Sequence, residues 1–182
     1  MATIEAAKLI HDGWQKLHEL TIREGSTTYS REVVQIGHAV CVLPYDDRRR
    51  VVTLVRQLRP AVLFIGEPAM LLEAPAGLIE PGDSAEDTGK REVEEETGLQ
   101  VGTLRPLGSF WVSPGSVTQR VTLFLAPYSK RDRVSAGGGL ATEHENIEVV
   151  ELPISEALAM LDRGEITDMK TACLLQALRL AD

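Results

Sequence analysis

The chain of 182 residues has few of the features that mark secreted or membrane proteins. Its two cysteines, Cys41 and Cys173, show neither CxxC nor Cys/His spacing, so neither a disulfide framework nor a zinc site is expected. No apolar run approaches the ~20 residues that cross a bilayer. The segment 1–16 contains Glu5 and Asp12 but no arginine, unlike secretory or mitochondrial leaders. We therefore expect a cytoplasmic protein with no membrane partner.

Positive charge is also scarce, because 19 lysines and arginines stand against 27 aspartates and glutamates, for a formal net charge of −8. Nonspecific attraction to a phosphate backbone is therefore not expected, and no nucleic-acid partner is predicted. A chain of this charge that handles phosphates needs local arginines or a metal ion. The length fits one domain core of ordinary size.

Hydrophobic periodicity predicts a mixed sheet with helices on its faces. Polar residues at 25–28 separate two partly alternating segments, which predicts a hairpin. Strands are expected at 14–24, 29–35, 38–45, 50–58, 70–73, 104–111, 120–126 and 147–152, and C-terminal helices at 154–163 and 168–180. The loop 127–144 is long for a compact domain, so it is either disordered or functional.

Between these strands, the pattern after Asp83 changes to that of a helix. Ser84 can cap the start, and Asp87 follows three residues later, as in a capping box. Gly98 suits the position just beyond a helix end. The sequence therefore predicts a helix from about 85 to 97.

Four acids, Glu92, Glu94, Glu95 and Glu96, crowd the second half of this helix. At ~100° per residue, Glu92, Glu95 and Glu96 share one face, whereas Glu94 points elsewhere. Like charges one turn apart destabilise a helix by roughly 0.2–0.5 kcal/mol, so helix stability does not explain them. A divalent cation would, since oxygen ligands select hard ions such as Mg²⁺. The alternative is a Glu-rich face that is simply solvated.

The residues around these acids resemble the signature of the Nudix hydrolase family, Gly-x5-Glu-x7-Arg-Glu-U-x-Glu-Glu-x-Gly-U, where U is a bulky aliphatic residue. The matching residues are Gly77, Arg91, Glu92, Val93, Glu95, Glu96, Gly98 and Leu99. Asp83 stands where the family has glutamate, which keeps the carboxylate but shortens its side chain by one methylene. The resemblance implies an α/β fold, the Nudix α/β/α sandwich with a mixed sheet and an N-terminal β-hairpin extension.

The same resemblance implies hydrolysis of a nucleoside diphosphate linked to another group, and it implies roles for the matching residues. Glu92 and Glu96, with the carbonyl of Ala76, would hold Mg²⁺, for which Mn²⁺ is a substitute. Glu95 would complete the acidic cluster, and Arg91 would brace it by pairing with a neighbouring carboxylate. Both are expected to serve catalysis.

Residues outside the signature are similar to nucleoside diphosphate sugar pyrophosphatases. The segment 71–77 (LLEAPAG) and Pro114, 15 positions after Leu99, favour a sugar nucleotide over a nucleoside triphosphate. The segments 136–153 and 164–171 are similar to the GDP-mannose hydrolase branch in particular. GDP-mannose is therefore the first substrate expected and ADP-ribose the second, while a non-catalytic nucleotide-sugar sensor is the rival of another class.

Relatives in that branch carry a loop glutamate that swings to the metal ions. Glu145 is the preferred counterpart, as metal ligand and catalytic carboxylate, and Glu143 is the alternative general base. Without the family pattern, both would be read as ordinary polar loop residues. The substrate-binding residues that the resemblance implies are Arg31, Glu32, Arg59, Gly77, Leu78, Pro114 and Gln119, of which Gln119 replaces a glutamate of the relatives.

The branch also implies a homodimer. Residues 1–36 are expected to form a helix-and-hairpin dimerisation extension, and residues 37–182 the hydrolase domain. Arg31 and Glu32 would then reach a nucleotide across the interface. Two roles are open for Trp14, namely packing at the dimer contact and stacking on a base.

Overall fold

The computed structural model describes residues 1–140, 142 and 146–181. Its first 35 residues form a three-stranded antiparallel sheet of β1 (Ala2–Asp12), β2 (Lys16–Glu24) and β3 (Thr27–Gln35), in that order. The predicted hairpin is β2–β3. The helix expected within residues 1–36 is wrong, because the segment that would have formed it pairs with β2 along its whole length. Most of this sheet is exposed.

The rest of the strands form a seven-stranded mixed sheet. Its central order is β10-β5-β4-β9-β8; β6 pairs with β5 and β7 pairs with β4. The β4–β9 pair is parallel and the other pairs are antiparallel. The strands are β4 (Ala39–Asp46), β5 (Val51–Leu58), β6 (Met70–Glu73), β7 (Ala76–Leu78), β8 (Arg105–Trp111), β9 (Arg120–Pro127) and β10 (Glu148–Pro153).

Four α-helices accompany this sheet among the described residues: α1 (Pro60–Phe64), α2 (Ala85–Thr97), α3 (Ile154–Asp162) and α4 (Met169–Arg179). A 3-10 turn, Lys130–Asp132, follows β9. Side chains of β4 alternate between its two faces. Cys41 and Leu43 pack in one core with residues of α3 and α4, whereas Val40 and Val42 pack in a second core with Val93 of α2. The sheet is therefore covered by α2 on one face and by α3 and α4 on the other, which confirms the α/β/α sandwich. None of the helices in the described part of the chain is long and apolar enough to span a membrane.

Helix α2 begins and ends where the sequence predicts. Ser84 has extended backbone, and its Oγ accepts a hydrogen bond from the N–H of Asp87 at 3.0 Å. In a full capping box, the side chain at Asp87 would accept from the backbone N–H of Ser84. Here the Asp87 carboxylate accepts from the Ser84 hydroxyl instead, at 2.7 Å. Gly98 takes the left-handed conformation (φ 72°) and its N–H donates to the carbonyl of Glu94, so glycine is needed at this position.

Candidate active site

The acidic face of α2 lies against the backbone of β7. Gly77 pairs with Val40 in the sheet, and this pairing holds the Ala76–Gly77 segment over α2. A Cβ atom added to Gly77 would lie 2.1 Å from Cδ of Glu92 and 2.2 Å from its Oε1. Only glycine therefore lets the backbone approach this carboxylate so closely.

The acids of α2 differ in burial as the helical spacing predicts. Glu96 is buried, with 2% of its surface exposed, Glu92 and Glu95 are partly buried, and Glu94 is exposed. A buried carboxylate is costly unless opposite charge or polar groups surround it. The alternative that these acids form a simply solvated helix face is therefore wrong for Glu96.

Arg91 braces two of these acids. Its Nη2 lies 2.9 Å from Oε1 of Glu92, and its Nη1 lies 3.1 Å from Oε2 of Glu95. Burial disfavours the arginine charge, but the carboxylates of Glu92 and Glu95 outweigh burial and raise the pKa of Arg91. Asp83, at the position of the family glutamate, contributes to the same effect.

The oxygen donors here fit a magnesium ion. Mg²⁺ binds in proteins through one or two carboxylates and keeps several waters, with further ligands from substrate phosphates. Within the described ranges, no three acidic, histidine or cysteine side chains lie close enough together to hold a metal ion. Glu92 and Glu96, one turn apart on α2, and the Ala76 carbonyl on β7 are oxygen donors of the kind that such an ion uses. Glu143 and Glu145, predicted to complete the site, lie outside the described residues.

Two adjoining cavities open beside these carboxylates. The larger, of about 570 Å³, is lined by Trp14, Arg59, Ala76, Gly77, Leu78, Glu80, Asp83, Arg91, Glu92 and Glu95. The smaller, of about 280 Å³, shares Arg59 and the 76–78 backbone with it and also includes Gln119, Asp168 and Lys170. Trp14, on the β1–β2 turn, is 91% exposed. The two cavities together provide a cleft, with Glu92, Glu95 and the segment 76–78 on one wall.

The structure brings four of the predicted substrate-binding residues to this cleft, namely Arg59, Gly77, Leu78 and Gln119. Gln119 donates from Nε2 to the carbonyl of Gly37 at 3.2 Å.

The other three predicted substrate-binding residues lie elsewhere. Arg31 and Glu32 are in β3, where Arg31 stacks over the Tyr29 ring at 4.7 Å, and Pro114 is in the turn before β9. None of the three lines either cavity of its own chain.

A network of charged side chains around the buried Glu73, under the cleft, was not predicted from the sequence. Arg59 donates from Nε and Nη2 to the two carboxylate oxygens of Glu73, each at 2.7 Å. Lys170 lies 3.6 Å from Glu73 and 2.5 Å from Asp168, and Thr171 donates to Asp168. A glutamate at the end of the apolar strand 70–73 was the signal that could have revealed this network.

Charge pairing in this network shifts its pKa values. The hydrogen bonds to Glu73 raise the pKa of Arg59 against the opposing effect of burial. Burial favours the neutral form of Asp168, but the adjacent Lys170 and the hydrogen bonds from Thr171 lower the pKa of this carboxyl below its usual range. Both shifts favour the charged forms of Arg59 and Asp168.

Comparison with known proteins identifies the family. The model of the NUDIX domain matches residues 36–172. The chain belongs to the Nudix family. Among curated relatives, this Nudix protein is 40% identical over 185 residues to the GDP-mannose pyrophosphatases of Escherichia coli O157:H7 and Shigella dysenteriae serotype 1, covering 98% of this chain and 95% of theirs.

A solved structure shows the Nudix fold independently. It is described as an ADP compounds hydrolase and superposes with a TM-score of 0.80 over 98% of this chain and 92% of its own. Sequence identity is only 18%, so this likeness concerns the fold alone. The family and the architecture expected from the signature residues are both confirmed.

Proposed function

We propose that this Nudix protein hydrolyses the diphosphate bond of a nucleoside diphosphate sugar. GDP-mannose is the first choice, and its products are a nucleoside monophosphate and a sugar 1-phosphate. The observation that carries the proposal is the acidic face of α2, held against the glycine backbone at Gly77 beside a cleft that contains Arg59. Similarity to GDP-mannose pyrophosphatases along nearly the whole chain supports this substrate.

Glu92, Glu96 and the carbonyl of Ala76 are the proposed ligands of Mg²⁺ or Mn²⁺. A bound ion would offset the phosphate charge and lower the pKa of a coordinated water, which suits attack on phosphorus at neutral pH. Arg91 holds Glu92 and Glu95 in place through its two ion pairs. Without that brace, neighbouring carboxylates would repel one another when no ion is bound.

Hydrolysis also requires a general base for the attacking water and a residue that binds the diphosphate. Glu145 is proposed as the carboxylate that serves the attacking water, with Glu143 as the alternative. Arg59 is proposed to bind the diphosphate, because a guanidinium offers several N–H donors in one plane to phosphate oxygens. Leu78, Gln119 and Pro114 are proposed to contact the rest of the substrate.

We propose a homodimer in which the three-stranded sheet of residues 1–36 is shared. The exposed faces of this sheet, with Ile4, Leu9 and Ile10 in β1 at the surface, support an interface with a second copy. Arg31 and Glu32, which line no cavity of their own chain, would then contact the partner's substrate. Both cysteines are free thiols, which suits the cytoplasm.

ADP-ribose is the second substrate, with AMP and ribose 5-phosphate as products. The observation that keeps it open is Gln119, a neutral side chain that lines the smaller cavity where the relatives have a glutamate; loss of that charge is expected to shift the preference between mannose, ribose and glucose. A sensor that binds without cleaving is disfavoured, because the carboxylates Glu92, Glu95 and Glu96 are all retained.

A substrate panel tests these alternatives. Initial rates with Mg²⁺ on GDP-mannose, ADP-ribose, ADP-glucose, UDP-glucose and GTP should be highest for GDP-mannose. A preference for ADP-ribose of more than tenfold would move the assignment to the second substrate. Tight binding of a sugar nucleotide without release of any monophosphate would favour the sensor instead.

A further inference from the structure

Glu73 is a buried acid that lies on β6, outside the acidic face of α2. It ends β6, opposite Val55 of β5, and only 1% of its surface is exposed. Replacing a buried ion pair by apolar residues is often neutral or stabilising, so the core does not require a carboxylate at this position. Its presence in an apolar strand therefore points to a role at the neighbouring cleft.

The carboxylate of Glu73 fixes the orientation of Arg59. Both of its oxygens accept from the Nε–Nη2 edge of the guanidinium, at 2.7 Å each. A fork of this kind fixes the plane of the guanidinium as well as its position. Since the edge facing Glu73 is used, the N–H groups on Nη1 are directed away from it, and Arg59 lines both cavities of the cleft.

Lys170 and Asp168 keep this arrangement in place from the other side. Lys170 lies between the two carboxylates, 3.6 Å from Glu73 and 2.5 Å from Asp168. Asp168 in turn caps α4 by accepting from the N–H of Thr171, and the Thr171 hydroxyl accepts from the N–H of Ala74, the residue after Glu73. Two acids balance two cations, so the network orients Arg59 without adding net charge.

We propose that Glu73 is a positioning residue for substrate binding, which sets the guanidinium of Arg59 in the plane that meets the diphosphate. The proposal rests on the proposed function, because it assumes that Arg59 binds the diphosphate of a sugar nucleotide. Glu73 itself lines neither cavity of the cleft. Without the charge of Glu73, the guanidinium of Arg59 is free to rotate. Substrate binding must then order this side chain, which weakens the affinity.

The test is calorimetric titration of GDP-mannose in EDTA, in parallel with turnover in Mg²⁺, for wild type and Glu73→Gln. We expect Glu73→Gln to raise the Kd at least tenfold, and the double variant with Arg59→Gln to bind no more weakly than Arg59→Gln alone. If Glu73→Gln does not fold, Glu73→Asp keeps the charge but cannot span the fork, and should raise the Kd at least threefold.

Asp46→Asn is the matched control for the loss of a buried ion pair. Asp46 is 4% exposed and pairs with Nε of Arg49 at 2.5 Å, but it ends β4 about 20 Å along the strand from the cleft. It should lower the melting temperature as Glu73→Gln does and leave the Kd within twofold of wild type. A purely structural role for Glu73 would make the two variants alike in Kd.

Other outcomes separate the two proposals. A Glu73→Gln protein that folds and binds within twofold of wild type overturns the positioning role, whatever its turnover. Additive losses in the double variant overturn it as well. Wild type that binds GDP-mannose without hydrolysing it overturns the proposed function, while the Kd ratio still decides the role of Glu73. Wild type that neither binds GDP-mannose in EDTA nor hydrolyses it in Mg²⁺ overturns both. If wild type hydrolyses it in Mg²⁺ but does not bind it in EDTA, the proposed function stands, and a KM of Glu73→Gln within twofold of wild type overturns the positioning role.

Discussion

Gly77→Ala gives a sharp perturbation of the acidic face, because it adds one carbon where the structure has no room. The new Cβ would lie 2.1 Å from Cδ of Glu92, whereas ordinary contacts begin at 3.4 Å. The Glu92 carboxylate must therefore move by more than ~1 Å, and misplacement of a catalytic group by this distance costs about 10²-fold in rate. The atoms in conflict are the end of a flexible side chain, so we expect the fold to survive.

The assay is Mg²⁺-dependent hydrolysis of GDP-mannose, with thermal unfolding measured on the same samples. Gly102→Ala is the matched control, because a Cβ at Gly102 meets no atom within 4 Å. We expect Gly77→Ala to lose about 10²-fold in kcat/KM with a small change in melting temperature, and Gly102→Ala to lose neither. Full activity in Gly77→Ala would refute the reasoning that the Ala76–Gly77 segment and Glu92 must adjoin for catalysis.

Three further predictions concern metal binding, helix capping and pH. Glu96→Gln should leave the fold largely intact and reduce Mg²⁺-dependent turnover by at least ~10³-fold, the scale of losing a main electrostatic group; retained turnover would remove its metal role. Ser84→Ala should lower the free energy of unfolding by about 1 kcal/mol in urea titration, and an unchanged value would contradict the cap. Because the folded state lowers the pKa of Asp168 from its usual 3.8, its contribution to stability is present above about pH 4 and lost as pH falls below that value. Asp168→Asn should therefore reduce the acid dependence of unfolding, and an unaltered pH profile would refute this.

Local signals in the sequence predicted helix α2 well. The cap at Ser84, the αL glycine Gly98 and the spacing of the acids all act within a few residues, so they can be read from the sequence. Strands β4 to β6 and β8 to β10 and helices α2 to α4 were predicted within two residues at each end. The mixed sheet followed from those elements.

The N-terminal strand β1 was not predictable in the same way. Residues 2–12 contain three alanines with Glu5 and Lys8, which favour a helix by intrinsic propensity. The segment is a strand because it pairs with β2 from Ala2 to Asp12. Pairing between strands overrides local propensity, and the sequence of one segment does not reveal it.

The charge network under the cleft shows the same limit. Arg59, Glu73, Asp168 and Lys170 are spread over more than 100 positions of the chain, and they meet only because β6 and α4 lie side by side with β5 and β4. Arg59 was identified only through the family resemblance. Its partner Glu73 required the fold.

The most direct test of the account is phosphorus-31 NMR of GDP-mannose incubated with the wild-type protein and Mg²⁺. We predict that the diphosphate signals are replaced by those of GMP and mannose 1-phosphate, and that chelation of the metal stops the conversion. Persistence of the diphosphate signals, or release of GDP with free mannose, would contradict the claim that this acidic helix face serves cleavage of a sugar nucleotide between its phosphates.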